Sequence, residues 1–233
     1  MPLPEIVDRD TWLTARKELL AEEKALTRQR DALSARRRAL PMVEITKDYG
    51  FTGPDGPAGL VDLFEGRTQL IVGHFMFDPA WEDGCPSCSA GADEVSDGLM
   101  RHLAVRDTTL AYVSLAPIEK IERYKATKGW TFPWWSSSGS DFNADFGVTV
   151  PAGGPYNFRH AEHLAPGEYP GTSCFLRVGD RVFHTYSSFA RGAEWTGGSY
   201  AFLDLTALGR QEEWEEPKGR ADSVRSATPD FAS

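Results

Sequence analysis

The fold is decided by residues 68–88, TQLIVGHFMFDPAWEDGCPSC. The first half of this stretch is an apolar run, rich in β-branched and aromatic side chains, that is typical of a buried strand. A loop with Pro and Gly follows, and then Cys85 and Cys88 stand two residues apart, with Pro86 between them. A C-x-x-C pair that opens a helix after a strand is the arrangement used for thiol–disulfide exchange. These thiols are the groups in the chain with evident covalent reactivity.

The composition favours one sizeable α/β domain with extensions. The chain has 233 residues, 41% hydrophobic and 12% aromatic, which is enough for a substantial core. A net charge of -9 argues against general nucleic-acid binding. The start, MPLPE, lacks the features of a secretory signal, and no apolar run approaches the roughly 20 residues that span a bilayer. We therefore expect a cytoplasmic protein that binds neither nucleic acid nor a membrane.

The cysteine and histidine pattern does not favour a metal site. Three cysteines are too few, and odd in number, for a structural disulfide framework. A second C-x-x-C or a nearby C-x-x-H, which would complete a zinc site, is missing. His160 and His163 have ligand-like spacing but lie in a stretch rich in Pro and Gly. We therefore predict no metal and no bound cofactor. Cys174 lies in a strand-like apolar run and is interpreted as a core residue rather than a resolving or sensing thiol.

The N-terminal part, residues 10–40, is predicted to form one long charged helix with Asp10 as its N-cap and Pro41 after its end. Large apolar side chains recur at every seventh position, whereas the partner heptad positions carry charges. This pattern is half of a coiled-coil seam, so a self-sufficient zipper is not expected. The stripe is expected to pack on the globular domain or on a second copy of the chain, as a homodimer. The apolar positions are Trp12, Leu19, Leu26, Leu33 and Leu40.

Beyond the first cysteine, helical and strand patterns alternate. Helices are predicted at about residues 86–103, 117–128 and 141–148, and strands at about 109–114, 134–136, 174–178 and 181–186. A strand, a C-x-x-C helix, a strand, a helix, a β-hairpin and a final helix follow one another in the thioredoxin fold. The pattern thus predicts a mixed central sheet flanked by helices. The predicted organisation is a helical extension at 1–41, a thioredoxin-like domain at 42–211 and a tail at 212–233.

The chain also resembles DUF899, a family of bacterial proteins described as thioredoxin-like and predicted to be dithiol–disulfide oxidoreductases. The resemblance implies this fold and this reaction class, but it does not imply a substrate. It runs from about residue 40 to 212. It is carried by GCPSCS from Gly84, RDTTL from Arg106, GWTFPW from Gly129, GSDFNADF from Gly139, FHTYS from Phe183 and LDLT from Leu203.

A wider resemblance links residues 109–148 to peroxiredoxins. In that superfamily a Thr or Ser stands three residues before the peroxidatic cysteine, and its hydroxyl donates a hydrogen bond to the thiolate. The corresponding residue here is Glu82, a carboxylate that repels a thiolate and cannot make this hydrogen bond. This departure disfavours a peroxidase.

A thioredoxin-like fold implies roles for the residues around the dithiol. Cys85, at the helix N-terminus, is expected to be the attacking thiolate, and Cys88 is expected to resolve the mixed disulfide. Pro86 suits the first helical turn because its missing N–H removes no helical bond, and it is also expected to contact the substrate. The substrate is expected to bind beside a cis-proline, for which Pro170 is the candidate. Gly171 and Thr172 are alternatives one or two residues later, and Trp81 is expected to line the substrate groove.

Three further residues bear on the proton chemistry of the dithiol. His74 is a candidate proton acceptor for Cys88, but a lone histidine on an apolar strand is more often a hydrogen-bonded core residue. Glu82 and Asp83 are expected to raise the pKa of Cys85 if they lie close to its sulfur.

The sequence thus predicts an enzyme that makes or breaks disulfides in a protein or a small molecule, with electrons from another thiol system. Two alternatives are a thiol peroxidase and a non-enzymatic interaction or redox-sensing module.

Overall fold

The computed structural model describes residues 4–160 and 164–196, together with residues 198, 212–214 and 218. These residues belong to two units, and the described part of the first contains one long helix, α1 (Arg9–Arg38). Its N-cap is Asp8 rather than the expected Asp10, since the Asp8 carboxylate accepts hydrogen bonds of 2.9 Å from the backbone N–H groups of Asp10 and Thr11. The predicted helix is thus confirmed to within two residues at each end.

The leucine stripe of α1 is exposed to solvent. No residue of the helix is buried, and Leu19, Leu26 and Leu33 are 50%, 54% and 45% exposed. The predicted pairing with a second copy and the predicted domain boundaries stay predictions. The predicted tail from residue 212 lies almost wholly outside the described residues.

The second unit, from Met42, is built on one eight-stranded sheet with the order β1-β12-β11-β4-β5-β6-β2-β3. Two small two-stranded sheets, β7 with β10 and β8 with β9, lie outside it. The strands are β1 (Val43–Ile45), β2 (Gly50–Gly53), β3 (Gly56–Gly59), β4 (Gln69–His74), β5 (Thr108–Ser114), β6 (Trp134–Ser136), β7 (Thr149–Val150), β8 (Pro155–Tyr156), β9 (Arg159–His160), β10 (Gly167–Glu168), β11 (Gly171–Val178) and β12 (Arg181–Phe189). The helices are α2 (Pro86–Asp93), α3 (Asp97–Ala104), α4 (Ile118–Lys128) and α5 (Phe142–Asp145), with 3₁₀ turns at Asp62–Phe64 and Ala190–Thr196.

The four central strands have the thioredoxin arrangement. β4 and β5 are parallel, and α2 and α3 form the crossover between them. β11 pairs antiparallel with β4 on one side and with β12 on the other. The order β12-β11-β4-β5 with these directions is the core of the thioredoxin fold, so the predicted fold class is confirmed. The predicted final helix would follow Thr196 and lies outside the fully described part of the chain.

Two corrections concern local structure. The helix expected over residues 86–103 is two helices, because α2 ends at Asp93 and Ser96 begins a new one. The Ser96 side chain accepts a hydrogen bond from the backbone N–H of Leu99, 3.2 Å away, as an N-cap does. The Gly- and Pro-rich stretch before β4 also contains an unexpected hairpin, β2–β3, which extends the sheet at Thr52 beside Ser136.

The sheet buries a separate apolar cluster on each face. Successive side chains of a strand point to opposite faces. Leu70 and Val72 of β4 therefore pack in one cluster, with Phe142 and Phe175, whereas Phe75, just after the strand, packs in the other. The second cluster also includes Phe77, Ile121 and Trp134, and Cys88 packs against it. Among the described residues, no helix is long and apolar enough to cross a membrane.

Candidate active site

The loop between β4 and Cys85 is held in place by hydrogen bonds. The backbone N–H of Cys85 donates to the carbonyl oxygen of Met76, 3.0 Å away, and so closes the loop. Inside it, the Asp78 carboxylate accepts from the N–H of Ala80 at 2.7 Å. The ammonium group of Lys120, on α4, donates to the carbonyl oxygens of Pro79, at 2.9 Å, and of Trp81. Cys85 is therefore presented by a loop with a defined shape.

Cys85 is the N-cap of α2, and Pro86 occupies the first helical turn as expected. The Cys88 thiol donates to the Cys85 sulfur, and the backbone N–H groups of Ser87 and Cys88 at the helix N-terminus also favour the thiolate. Together these groups lower the pKa of Cys85 to about 6, against the opposing effect of burial. Glu82 and Asp83 are exposed and are not among the groups that shift this pKa, so the rise expected from them is not found.

In contrast to Cys85, Cys88 is held as a protonated thiol. It donates its thiol hydrogen to the Cys85 sulfur, and this bond together with burial raises the pKa of Cys88 far above its usual range. Neither cysteine is in a disulfide. Cys85 is 8% exposed, and Cys88 is half-buried. The pair therefore combines one activated thiolate with one protonated thiol.

Ser89 and Tyr124 fix the backbone around the dithiol. The Ser89 hydroxyl lies 3.0 Å from the Cys85 carbonyl oxygen, to which it donates, and 2.9 Å from the Tyr124 hydroxyl. The Tyr124 and Phe75 rings press on Gly84, where an added Cβ would lie 2.9 Å and 2.6 Å from them. Glycine is therefore required just before Cys85 for steric reasons.

His74 lies on the other face of the sheet from Cys88. Its ring stacks near Phe146, and its Nε2 lies 2.8 Å from the Ser173 hydroxyl. A chain of 2.8 Å contacts continues from Ser173 to Ser187 and from Ser187 to His184. The hypothesis that His74 accepts the proton of Cys88 is therefore wrong, and His74 is a hydrogen-bonded core residue. On the dithiol face, the neighbouring Gly73 has no side chain.

The structure places the other expected site residues at the start of β11. The Pro170 carbonyl oxygen accepts a hydrogen bond of 2.7 Å from the Tyr156 hydroxyl. Gly171 pairs with His74, and Thr172 pairs with Gly73, so alternation puts the Thr172 side chain on the dithiol face. Trp81 is 40% exposed in the loop before Cys85. Substrate binding by these residues stays a prediction.

No metal site is found among the residues that the structure describes, where no group of three or more potential ligands lies together. His163 lies outside those residues. Cys174 is half-buried in β11, and burial raises its pKa to about 11. This environment fits a packed, unreactive thiol.

Sequence reasoning missed three residues around the dithiol, namely Tyr112, Lys120 and Tyr156. The ring of Tyr112 lies against Gly73 on the dithiol face. None of the three stands in a motif with the cysteines, so no local signal pointed to them. Sequence reasoning also missed the Glu168 carboxylate, which accepts from the Asn143 amide at 3.0 Å and from the Thr149 hydroxyl, and whose pKa is raised by burial.

A parallel β–α–β unit with a C-x-x-C dithiol at the start of its crossover helix, beside an antiparallel hairpin, defines a thioredoxin-fold protein. Within that class, the chain belongs to the family described as "Bacterial protein of unknown function (DUF899)", whose model matches residues 1–227. The resemblance expected from the sequence is thereby confirmed.

Several solved structures are similar to this chain at low sequence identity. Peroxidoxin BcpB from Mycobacterium tuberculosis has 19% identity and a TM-score of 0.45, over 64% of this chain and 88% of that chain. Peroxiredoxin Q from Xanthomonas campestris has 13% identity and a TM-score of 0.43, over 68% and 90%. A peroxiredoxin-like protein from Aquifex aeolicus has 10% identity and a TM-score of 0.41, over 65% and 77%. No curated protein matches the chain. The fold assignment rests on the strand order and directions.

Proposed function

We propose that this protein is a thiol–disulfide oxidoreductase that acts through Cys85 and Cys88. The observation that carries the proposal is the asymmetry of the two thiols at the N-terminus of α2. The pKa of Cys85 is lowered to about 6, so its thiolate is the main form at neutral pH, whereas the raised pKa of Cys88 keeps that thiol protonated. An exchange enzyme needs one thiol to attack and another, held in reserve, to resolve.

The reaction balances with these two groups and one substrate disulfide. The Cys85 thiolate attacks a substrate sulfur, the substrate S–S bond breaks, and one substrate thiolate leaves as the Cys85 mixed disulfide forms. The leaving thiolate takes up the proton of Cys88. The Cys88 thiolate then attacks the Cys85 sulfur and expels the second substrate thiolate. The substrate is reduced by two electrons, and the protein is left with a Cys85–Cys88 disulfide.

The cycle closes when another thiol system reduces this disulfide, and the reverse sequence oxidises a substrate dithiol. The thiols themselves carry the electrons, so the proposed cycle uses no bound cofactor. The expected substrate is a disulfide in a protein or a small molecule. Thr172, Pro170 and Trp81 are the residues proposed to contact it.

The test is an equilibrium redox titration of the full chain in dithiothreitol or glutathione buffers, with alkylated Cys85 and Cys88 counted by mass. We expect a reversible Cys85–Cys88 disulfide with a potential between about -270 and -120 mV. The variants C85S and C88S should each abolish it, and C174S should keep it.

Other outcomes separate the alternatives. Peroxide consumption that needs Cys85, in the absence of disulfide exchange, would indicate a thiol peroxidase. Thiols that resist alkylation in the folded protein would overturn both enzymatic readings and favour an interaction module.

A further inference from the structure

We propose that the dithiol site selects disulfides that are cationic or neutral and disfavours anionic ones such as glutathione disulfide. This inference rests on the proposed function, because it names the substrate class of the same two thiols.

The first observation is that the site activates its thiolate with dipoles instead of cations. The groups that stabilise the Cys85 thiolate are the Cys88 thiol and the backbone N–H groups of Ser87 and Cys88. These groups carry partial charges and add no net positive charge to the site. An incoming anionic substrate therefore meets the thiolate without a compensating lysine or arginine among its donors.

The second observation is the charge of the chain around the cysteines. Residues 68–100 contain six acidic residues and no lysine or arginine. Two of the acids, Glu82 and Asp83, are exposed and stand three and two residues before Cys85. Neither carboxylate forms an ion pair with any residue in the described part of the chain. Both charges therefore face solvent at the approach to the dithiol.

Lys120 contacts this loop but does not form an ion pair with Glu82 or Asp83. The Lys120 ammonium group donates to the carbonyl oxygens of Pro79 and Trp81. The negative charges of Glu82 and Asp83 therefore stay on the loop that leads to Cys85.

Such a field acts on rates of encounter and depends on salt. Focused surface potentials change association rates of charged partners by about 10-fold to 1,000-fold. The screening length is about 30 Å at 0.01 M ionic strength and about 3 Å at 1 M, so high salt removes the effect. The covalent steps are those given above and are the same for every disulfide.

The experiment measures oxidation of the reduced full-length protein by three disulfides in single turnover at neutral pH. Cystamine is a dication, hydroxyethyl disulfide is neutral, and glutathione disulfide is a net dianion. Each rate constant is divided by that of free dithiothreitol with the same disulfide, which removes differences in intrinsic reactivity. We expect the normalised rate for cystamine to exceed that for glutathione disulfide by about 10-fold at low salt, and by less than about 2-fold at 1 M salt.

A pair of matched variants tests the assignment to Glu82 and Asp83. At low salt, E82Q/D83N should reduce the ratio of the normalised cystamine rate to the normalised glutathione disulfide rate at least about 3-fold. D55N/D180N removes two exposed acids from the β2–β3 and β11–β12 turns, outside the loop before Cys85, and should leave the ratio unchanged.

The outcomes distinguish the two proposals. Nearly equal normalised rates for all three disulfides would overturn the charge selection alone. So would a ratio of cystamine to glutathione disulfide rates that falls equally in both variants. A protein that reacts with none of them, including the neutral one, overturns the proposed function as well.

Discussion

The Tyr112 ring lies across the backbone of Gly73, and a Cβ added at Gly73 would come within 2.6 Å of its Cε1 atom. Gly73 is the position of β4 whose side chain would point toward the dithiol face. The expected alternative in this strand, His74, points the other way. β4 therefore supplies no proton acceptor to Cys88, which is why the proposed mechanism gives that proton to the leaving thiolate.

This close approach predicts that Gly73→Ala destabilises the fold. The added methyl group must displace the Tyr112 ring in a packed interior, and overpacking of this kind costs about 1–3 kcal/mol. Urea unfolding followed by fluorescence measures the free energy of unfolding of each variant. Gly91→Ala is the matched control, because nothing lies within 4 Å of its added Cβ, and in helix α2 it should stabilise by about 0.5–1 kcal/mol. Equal effects of the two substitutions would contradict the packing of Tyr112 against Gly73.

The hydrogen bond between the two thiols predicts that Cys88→Ala raises the pKa of Cys85. The Cys88 thiol is the first of the groups that lower this pKa to about 6, and alanine has no hydrogen to donate. The pH dependence of iodoacetamide alkylation at Cys85 measures the pKa. Cys174→Ala should leave it at about 6. An unchanged value in Cys88→Ala would mean that the backbone N–H groups alone stabilise the thiolate.

The buried histidine predicts a loss of stability in acid. Burial, and to a lesser extent His184, lowers the pKa of His74 from 6.5 to about 3 in the folded chain. The unfolded chain binds a proton below about pH 6.5, so the stabilisation is complete above that pH and is lost as pH falls toward 3.

Between pH 6.5 and about pH 4, His74 should lower the free energy of unfolding by an amount on the order of 3 kcal/mol. Urea unfolding at several pH values measures it, with His74→Gln as the reference because glutamine does not titrate. Parallel pH curves for the wild type and the variant would contradict the neutral, buried state of His74.

The hydrogen bonds from Lys120 to the loop before Cys85 predict that Lys120→Met makes this loop more mobile. The ammonium group donates to two loop carbonyl oxygens, and hydrogen bonds from charged donors contribute about 1.5–3 kcal/mol each. Faster amide hydrogen exchange across residues 80–85 should follow. Lys128→Met, on the same helix, removes an ammonium group that lies over the Tyr124 ring at 5.7 Å, and it should leave exchange in the loop unchanged. Unchanged exchange in Lys120→Met would show that the loop keeps its shape without these hydrogen bonds.

Elements with a strong local pattern were predictable from the sequence. Helix α1, strands β4 and β5, helix α4 and the β11–β12 hairpin lie within a few residues of their expected positions. Each carries its own periodicity and end signals, such as Gly129, which ends α4 in the left-handed conformation with a φ of 70°. The break between α2 and α3 was missed because Ser96 reads equally well as a helical residue until its side chain is seen to cap Leu99.

The sequence by itself determined the dithiol, its place at the start of a helix after a buried strand, and the acidic character of its surroundings. These properties depend on residues close together in the chain. Only the tertiary structure decided which face of β4 meets the cysteines, and therefore that Tyr112 instead of His74 lies on the dithiol side. It also brought Lys120 and Tyr156 to the site. Such relationships depend on strand register and on packing between distant segments, where a shift of one residue exchanges the two faces.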